Sequence, residues 1–361
     1  MQIISLLVSG LINGLIGIFY FRKFIFRSIK EFTNIKVTKT LDRIITGFLI
    51  ILAFSTTNMF SLITNIYIHI LVITILLEGL NHFLKKYNVY RFLFYSGFLT
   101  VFIVSSIFIY GYYNMNNVVL TEYTLESDKV DNLKILQITD LHINNSVTAG
   151  ELENYVNRMN NLDAEIVVLT GDIFDHKSSK QDVVEVCRIL GKINNKRGIF
   201  YIYGNHERNR NSNTDGITEE YIKKEFEKND IIVLKDEIYT YDNVTIVGRM
   251  DAGWSRQGIE RKTMKELLAN VNMNNYILVL DHQPKDIEEN ASLGADLQLS
   301  GHTHGGQYFP SGPIEQIMSG TLIYGKRQID NFTAITSSGI SGWGAPFKTG
   351  APSEYVFITI E

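Results

Sequence analysis

The stretch Gly301-His302-Thr303-His304-Gly305-Gly306-Gln307 decides how this chain is read. It follows residues 295–299, an alternating segment that reads as a strand. Glycines on both sides of the two imidazoles permit a tight turn that aims both rings at one point. Imidazole is the commonest protein ligand for metals of intermediate softness. With only eight histidines in the 361 residues, a pair in one glycine loop argues for a ligand site over a plain surface turn.

Working outward, other segments end in polar residues of the same kind. Residues 133–139 read as a buried strand that runs into Asp140, Leu141 and His142. Alternation in an extended chain puts positions 140 and 142 on one side. A second strand, 164–170, is followed by Gly171, Asp172 and Asp175, and a third, 198–203, by Gly204, Asn205, His206 and Glu207. Residues 148–160 and 181–193 have helical spacing, so a helix connects each consecutive pair of strands. Open α/β sheets place their ligands at such C-terminal strand ends. Downstream, a helix over 218–228 precedes short strands near 231–234, 238–241 and 244–248, which suggest a second sheet. A helix over 261–271 leads to a strand over 276–280 that ends in Asp281 and His282. Strands over 329–336 and 355–360 are expected to close the second sheet, with the glycine-rich segment 337–344 as a rim of the site.

The composition is uneven. Residues 1–20 carry no charge and are long enough to cross a bilayer, which takes about 20 apolar residues. Segment 21–43 holds Arg22, Lys23, Arg27, Lys30, Lys36, Lys39 and Arg43. A charge-free run over 44–77 reads as two helices with a polar turn near Asn65 or among Thr56, Thr57 and Asn58, and 92–110 as a last span. Residues 1–113 are therefore expected to form a transmembrane region of four helices, 114–130 a linker, and 131–361 the soluble domain. Short basic loops stay cytoplasmic. Loops 21–43 and 81–91 then share the inner side, which makes this a multi-pass protein of the cell membrane with its soluble domain on the extracellular side.

A net charge of −4 gives no electrostatic case for nucleic acid as a partner. The single cysteine, Cys187, excludes an internal disulfide framework and a cysteine-based zinc cluster. It falls on the apolar side of its helix and reads as a core thiol.

The blocks Asp140-x-His142, Gly171-Asp172-x-x-Asp175, Gly204-Asn205-His206-Glu207, His282 and Gly301-His302-x-His304, in that order, resemble the calcineurin-like metallophosphoesterase superfamily. The resemblance covers nearly all of 133–358. The upstream region is similar to bacterial members with several N-terminal membrane helices. The loop followed by Phe309 and Pro310 resembles the exported and membrane-attached branch, some of whose members are described as acting on phosphorylated lipids or nucleotide-linked sugars.

The resemblance implies a four-layer α/β/β/α sandwich behind an all-α membrane region, and a site for two divalent ions. Asp140, His142, Asp172 and His304 would hold one ion. Asp172, Asn205, His282 and His302 would hold the other, with Asp172 bridging. Such ligands suit manganese, iron or zinc. His206 would sit beside the phosphate as the catalytic proton donor or charge stabiliser, with Asp175 and Glu207 as supporting residues. Arg249, Asp251, Trp254 and Trp343 are candidates to approach the site from outside. The activity implied is hydrolysis of a phosphoester or pyrophosphate by metal-bound hydroxide, on a phosphorylated small molecule, a nucleotide or a lipid. The lipid bilayer is the expected partner, and no obligate protein partner is evident. The alternative is a membrane sensor or scaffold whose metal site is structural.

Overall fold

The computed structural model describes residues 2–55, 58, 61–175, 178–208 and 216–361. They divide into two compact units, 1–111 and 112–361.

The first unit is helical: α1 (Gln2–Phe32), α2 (Lys39–Phe54), α3 (Leu62–Leu84), α4 (Asn88–Tyr95) and the start of α5 (Phe98–Asn116). Two of these, α3 and α5, are long and apolar enough to cross a membrane. At 16 residues α2 is short for a span of about 20. Segment 21–43 is not all loop. Helix α1 runs on to Phe32 because no glycine or proline falls within 21–32 and because partners neutralise two of its arginines. Arg22 holds Asp42 through two bonds of 2.7 Å. Arg27 pairs with Glu78, which also accepts from the Tyr20 hydroxyl at 2.8 Å. Of the turn candidates, Thr56 and Thr57 lie outside the described residues, and Asn65 falls in the first turn of α3.

The second unit stacks two six-stranded sheets. Its strands are β1 (Val119–Leu125), β2 (Leu133–Ile138), β3 (Ile166–Leu169), β4 (Ile199–Ile202), β5 (Ile231–Leu234), β6 (Glu237–Tyr241), β7 (Val244–Gly248), β8 (Tyr276–Leu280), β9 (Leu297–Ser300), β10 (Gly325–Ile329), β11 (Phe332–Thr336) and β12 (Glu354–Ile360). The first sheet has the order β1-β12-β2-β3-β4-β5 and the second β10-β11-β9-β8-β7-β6. The helices of this unit are α6 (Ala149–Met159), α7 (Lys180–Leu190), α8 (Asn205–Arg208), α9 (Glu219–Glu227), α10 (Met264–Leu268), α11 (Ile287–Ser292) and α12 (Ser311–Ser319).

Alternation along the strands sorts the core into layers. Ile135, Ile166, Val168 and Phe200 meet Ile246, Leu278, Leu280 and Leu299 between the sheets. Their neighbours Leu136, Val167, Leu169 and Tyr201 face Leu152 and Val156 of α6, Val183 and Cys187 of α7, and Phe226 of α9. Outside the second sheet, Val247, Ile277 and Val279 cover Leu267 and Leu268 of α10. Replacing one of the fully buried leucines with alanine costs about 2–5 kcal/mol in such a core.

Two strands sit elsewhere than the sequence suggests. Strand β5 pairs in parallel with β4 in the first sheet, because α9 is a crossover helix that returns the chain beside β4. Strand β12 inserts between β1 and β2 of the first sheet and does not close the second. Both sheets need apolar alternation, so the pattern does not say which one a strand joins. In the first sheet β2, β3, β4 and β5 are parallel, and in the second β7, β8, β9 and β11. Their C-terminal ends deliver the polar loops.

Candidate metal centre

The loops after β2, β3, β4, β8 and β9 converge. The first two are pinned to each other: Asp140 N donates to Gly171 O at 3.0 Å and His142 N to Asp172 O at 3.1 Å. Asp140, His142, Asp172, His302 and His304 all take positive φ, between 39° and 70°. Left-handed backbone at non-glycine residues is uncommon and gathers at functional sites. Glycine lets the loops close in. A Cβ on Gly204 would lie 2.1 Å from Asp172 Oδ1, and one on Gly301 would lie 2.2 Å from Asp140 Oδ2.

Three donor groups result: Asp140 with His142 and His304, Asp172 with His282 and His302, and His142 with Asp172 and His206. Within each group the ligand atoms lie within 4.8 Å of one another. His142 Nε2 is 3.9 Å from Asp140 Oδ1 and 3.7 Å from Asp172 Oδ2. His304 Nε2 is 3.5 Å from Asp140 Oδ1, and His282 Nε2 is 3.1 Å from Asp172 Oδ2. Most of these gaps are too long for hydrogen bonds. They match the roughly 3–4 Å between two ligands that each stand about 2.1 Å from a shared ion.

The residues fit a pair of cations on three further observations. Both ring nitrogens of His142, Nε2 of His282 and Oδ1 of Asn205 are buried without a hydrogen-bond partner, an arrangement that costs free energy unless something else binds them. His282 and His304 direct Nδ1 at the carbonyls of Thr170 (2.8 Å) and Ser341 (3.4 Å), which leaves Nε2 for a ligand. The field is cation-seeking as well. Burial works against charge on His282, yet the adjoining Asp172 carboxylate raises it well above the ordinary imidazole range. For Asp172, burial is likewise outweighed, by His282 and then His206, and the carboxyl is held well below the usual range. A dinuclear metal-binding geometry is therefore present, built of carboxylate, imidazole and amide.

Seven of the eight expected site residues fall in these donor groups, and the eighth, Asn205, directly precedes His206. Asp140, His142, Asp172, His282 and His304 are buried, whereas Asn205, His206 and His302 are half-buried. Asp172 Oδ1 accepts from the backbone N of His206 at 2.9 Å. The His206 ring lies 4.8 Å from that of His142 and 5.7 Å from the indole of Trp343. Burial first lowers the His206 pKa, against the pull of the Asp172 carboxylate and with help from His142. Asp175 Oδ2 is 3.7 Å from His142 Nδ1. Trp254 is not at the rim but in the core, 5.5 Å from Tyr203. Arg249 is buried beside Asp236 and the Lys262 carbonyl. Asp251 braces Gln283, the residue after His282, at 2.9 Å.

Support for the loops comes from residues whose roles local spacing does not reveal. The Glu207 carboxylate, fully buried, accepts from the backbone N–H groups of Asp172, Ile173, Phe174 and Gly204 at 2.6–3.1 Å. Burial and then the Asp172 charge push it up to about 7. Lys348 is also fully buried. It donates to the carbonyls of Ser338 (2.6 Å), Gly339 (3.3 Å) and Ser341 (3.3 Å), and burial draws it down to about 7. A lysine between Phe347 and Thr349 carries no pattern, and only its lone charge in an apolar, glycine-rich stretch hints at it. Gln307 binds the Trp343 backbone from both ends of its amide, 2.7 Å and 2.8 Å.

Two stacked sheets with metal ligands at their strand ends define a metal-dependent hydrolase. Over residues 133–306 the chain matches the family described as calcineurin-like phosphoesterase. It is 27% identical over 285 residues to a metallophosphoesterase of Campylobacter jejuni, a match spanning 77% of this chain and 72% of the relative. A Helicobacter pylori metallophosphoesterase is 28% identical over 67% of this chain and 63% of its own length. A Danio rerio relative described as a transmembrane protein with metallophosphoesterase domain is 24% identical, over 73% and 62%. The chain thus spans about two thirds of the length of these relatives. It is a metal-dependent phosphoesterase by family and by donor geometry.

Proposed function

We propose that the chain is a membrane-held phosphoesterase acting on a phosphorylated lipid or a nucleotide-linked substrate. The observation that carries the two-ion reading is the position of Asp172. Its Oδ2 stands 3.1 Å from His282 Nε2 and 3.7 Å from His142 Nε2, facing both donor groups at once. In this reading Asp140, His142, Asp172 and His304 hold one ion, and Asp172, Asn205, His282 and His302 hold the other. Manganese, iron and zinc all suit that donor set. Bound there, two divalent ions supply an acidified water and positive charge for the phosphoryl oxygens.

The chain's own groups do the rest. Asp172 fixes the spacing of the two donor groups while its Oδ1 holds the His206 backbone. The His206 imidazole, half-buried between His142 and Trp343, offers an N–H to the phosphoryl or leaving oxygen. The Trp343 indole shields that side. The one cysteine does not compete as a nucleophile: Cys187 is sealed in the core and burial drives its thiol far up. Metal analysis of the purified chain, with a phosphate-release screen over nucleotides, diesters, lipid phosphates and sugar-lipid pyrophosphates, tests the proposal. Two ions with release from one class support it. Tight metal with no release from any class favours the scaffold alternative.

Membrane placement is part of the same reading. It is supported by the apolar helices α3 and α5, by the Danio rerio relative's description, and by the lysines and arginines of 21–43 and 81–91. Four crossings with the soluble domain, residues 131–361, outside the cytoplasm satisfy both basic segments. Protease added to intact cells, after any outer barrier is opened, is expected to digest the second unit. Complete protection would reverse the topology.

A further inference from the structure

From residue 119 onward, seven large apolar side chains are exposed among the described residues, and four of them, Phe309, Ile314, Ile317 and Met318, fall within ten positions. The other three, Val184, Ile238 and Met273, are scattered, as on any soluble surface. Ile317 and Met318 are 85% and 82% exposed. In α12, Ile314, Ile317 and Met318 stand at i, i+3 and i+4 and so form one stripe, with Glu315 and Gln316 on the opposite face. The one buried residue of that helix is Gly312. A Cβ on Gly306 would lie 2.2 Å from Gly312 Cα. The helix thus sits, backbone on backbone, on the loop that carries His302 and His304, and turns its stripe away from the protein.

Chain connections say what covers that stripe. Phe309 N donates to Thr349 Oγ1 at 2.9 Å, and the backbone N–H groups of Thr349 and Gly350 donate to Gln307 O at 2.7 and 2.9 Å. The same segment accepts from Asn114 Nδ2 at the carbonyls of Lys348 (2.9 Å) and Ala351 (2.8 Å). Asn114 lies in the last turn of α5, the candidate span that ends two residues before β1. One short segment therefore ties down the end of that span and the entry to α12 together.

We infer that the Phe309–Met318 face inserts into the lipid bilayer that α5 enters, seating the rim of the metal centre against the membrane surface. The inference rests on the membrane reading above. No lysine or arginine lies on α12, so the contact is with acyl chains and the interfacial layer, not with anionic headgroups by charge. Insertion of this kind brings a phosphate at headgroup level to the metal loop without lifting the lipid out.

The test is depth-dependent quenching in the full chain, reconstituted in phosphatidylcholine vesicles with brominated acyl chains. Cys187 is buried and takes no label, so single cysteines are placed by Ile317→Cys, by Val101→Cys on α5, and by Val184→Cys on α7. Each carries a polarity-sensitive fluorophore. The expected result is quenching at 101 and 317 that exceeds that at 184 by about threefold or more. Quenching at 101 with position 317 no different from 184 overturns the inference and leaves the membrane reading intact. No quenching at 101 removes both. A label at 317 that is shielded from water but unquenched, and whose signal grows with protein concentration, identifies a second copy as the occupant and also overturns it.

Discussion

The two halves of the metal centre are built differently. Asp140, His142 and His304 form a sealed half, with exposures of 0%, 0% and 8%. The other half joins buried Asp172 and His282 to Asn205 and His302, which are half-buried. Behind the sealed half lies the segment 338–341, held by Lys348, whose Ser341 carbonyl receives His304. Behind the open half stands the carbonyl of Thr170 and the Asp251–Gln283 brace. An ion in the sealed half would be held by buried side chains, whereas one in the open half would have two half-buried ligands, Asn205 and His302, toward solvent or substrate. The difference separates holding metal from meeting substrate, and variants can be chosen to test that separation.

The largest effect is expected from Asp172→Asn. This side chain faces both halves, so its loss should strip both ions and take hydrolysis to background, read by metal content and phosphate release on one sample. Retention of both ions with full activity would dissolve the comparison. Next, His206→Ala should leave metal content near wild type and slow hydrolysis of a poor leaving group by about 100- to 10,000-fold. With nitrophenolate as leaving group, which needs little protonation, the loss should shrink. Equal losses on both substrates would reassign His206 to phosphate binding. Lys348→Met sharpens the contrast further. It removes the donor that fixes Ser341, so affinity for one of the two ions should fall by about 10- to 100-fold, as for other groups that orient a ligand. The second ion should be little affected, and stepwise metal titration separates the two. Smallest of all, iodoacetamide should leave Cys187 unmodified in the native chain at pH 8. Its raised pKa keeps the thiol protonated, and rapid alkylation would mean that α7 opens readily.

The site was legible in the sequence because metal ligands are confined to few residue types and loops at strand ends carry them in short blocks. Asp140, Asp172, Asn205 and His302 are each flanked by strand signals and, in three cases, by a glycine whose Cβ space is taken by a donor residue of another loop. What lay hidden was support acting at long range. Lys348 reaches back to residues 338–341, and Glu207, expected as a supporting residue, supports through partners its position does not show, the N–H groups of a loop more than 30 residues earlier. Neither distance leaves a period or spacing to read. The strands were visible as apolar alternation, but β5 and β12 serve the first sheet, and alternation is blind to which sheet a strand joins. Helix α12 escaped notice because its apolar residues face outward, where a core-seeking reading does not look for them. Past Tyr20, α1 continues because Asp42 and Glu78 neutralise arginines that read as loop charges.

Strand β12 has a consequence for the order of assembly. It comes last of the twelve, yet it lies inside the first sheet, parallel to β1 on one side and antiparallel to β2 on the other. Every sheet hydrogen bond of β1 waits for it, across more than 200 residues of intervening chain. Contacts of that sequence separation are slow to close. Until they do, β2 offers an unpaired edge to other chains. Glu354 at the start of the strand also receives Ser337 Oγ and Ser338 N, which fix the turn behind Asp140. The metal centre is therefore completed from the far end of the domain, and a chain interrupted before residue 354 would present most of the ligands with no finished place to hold them.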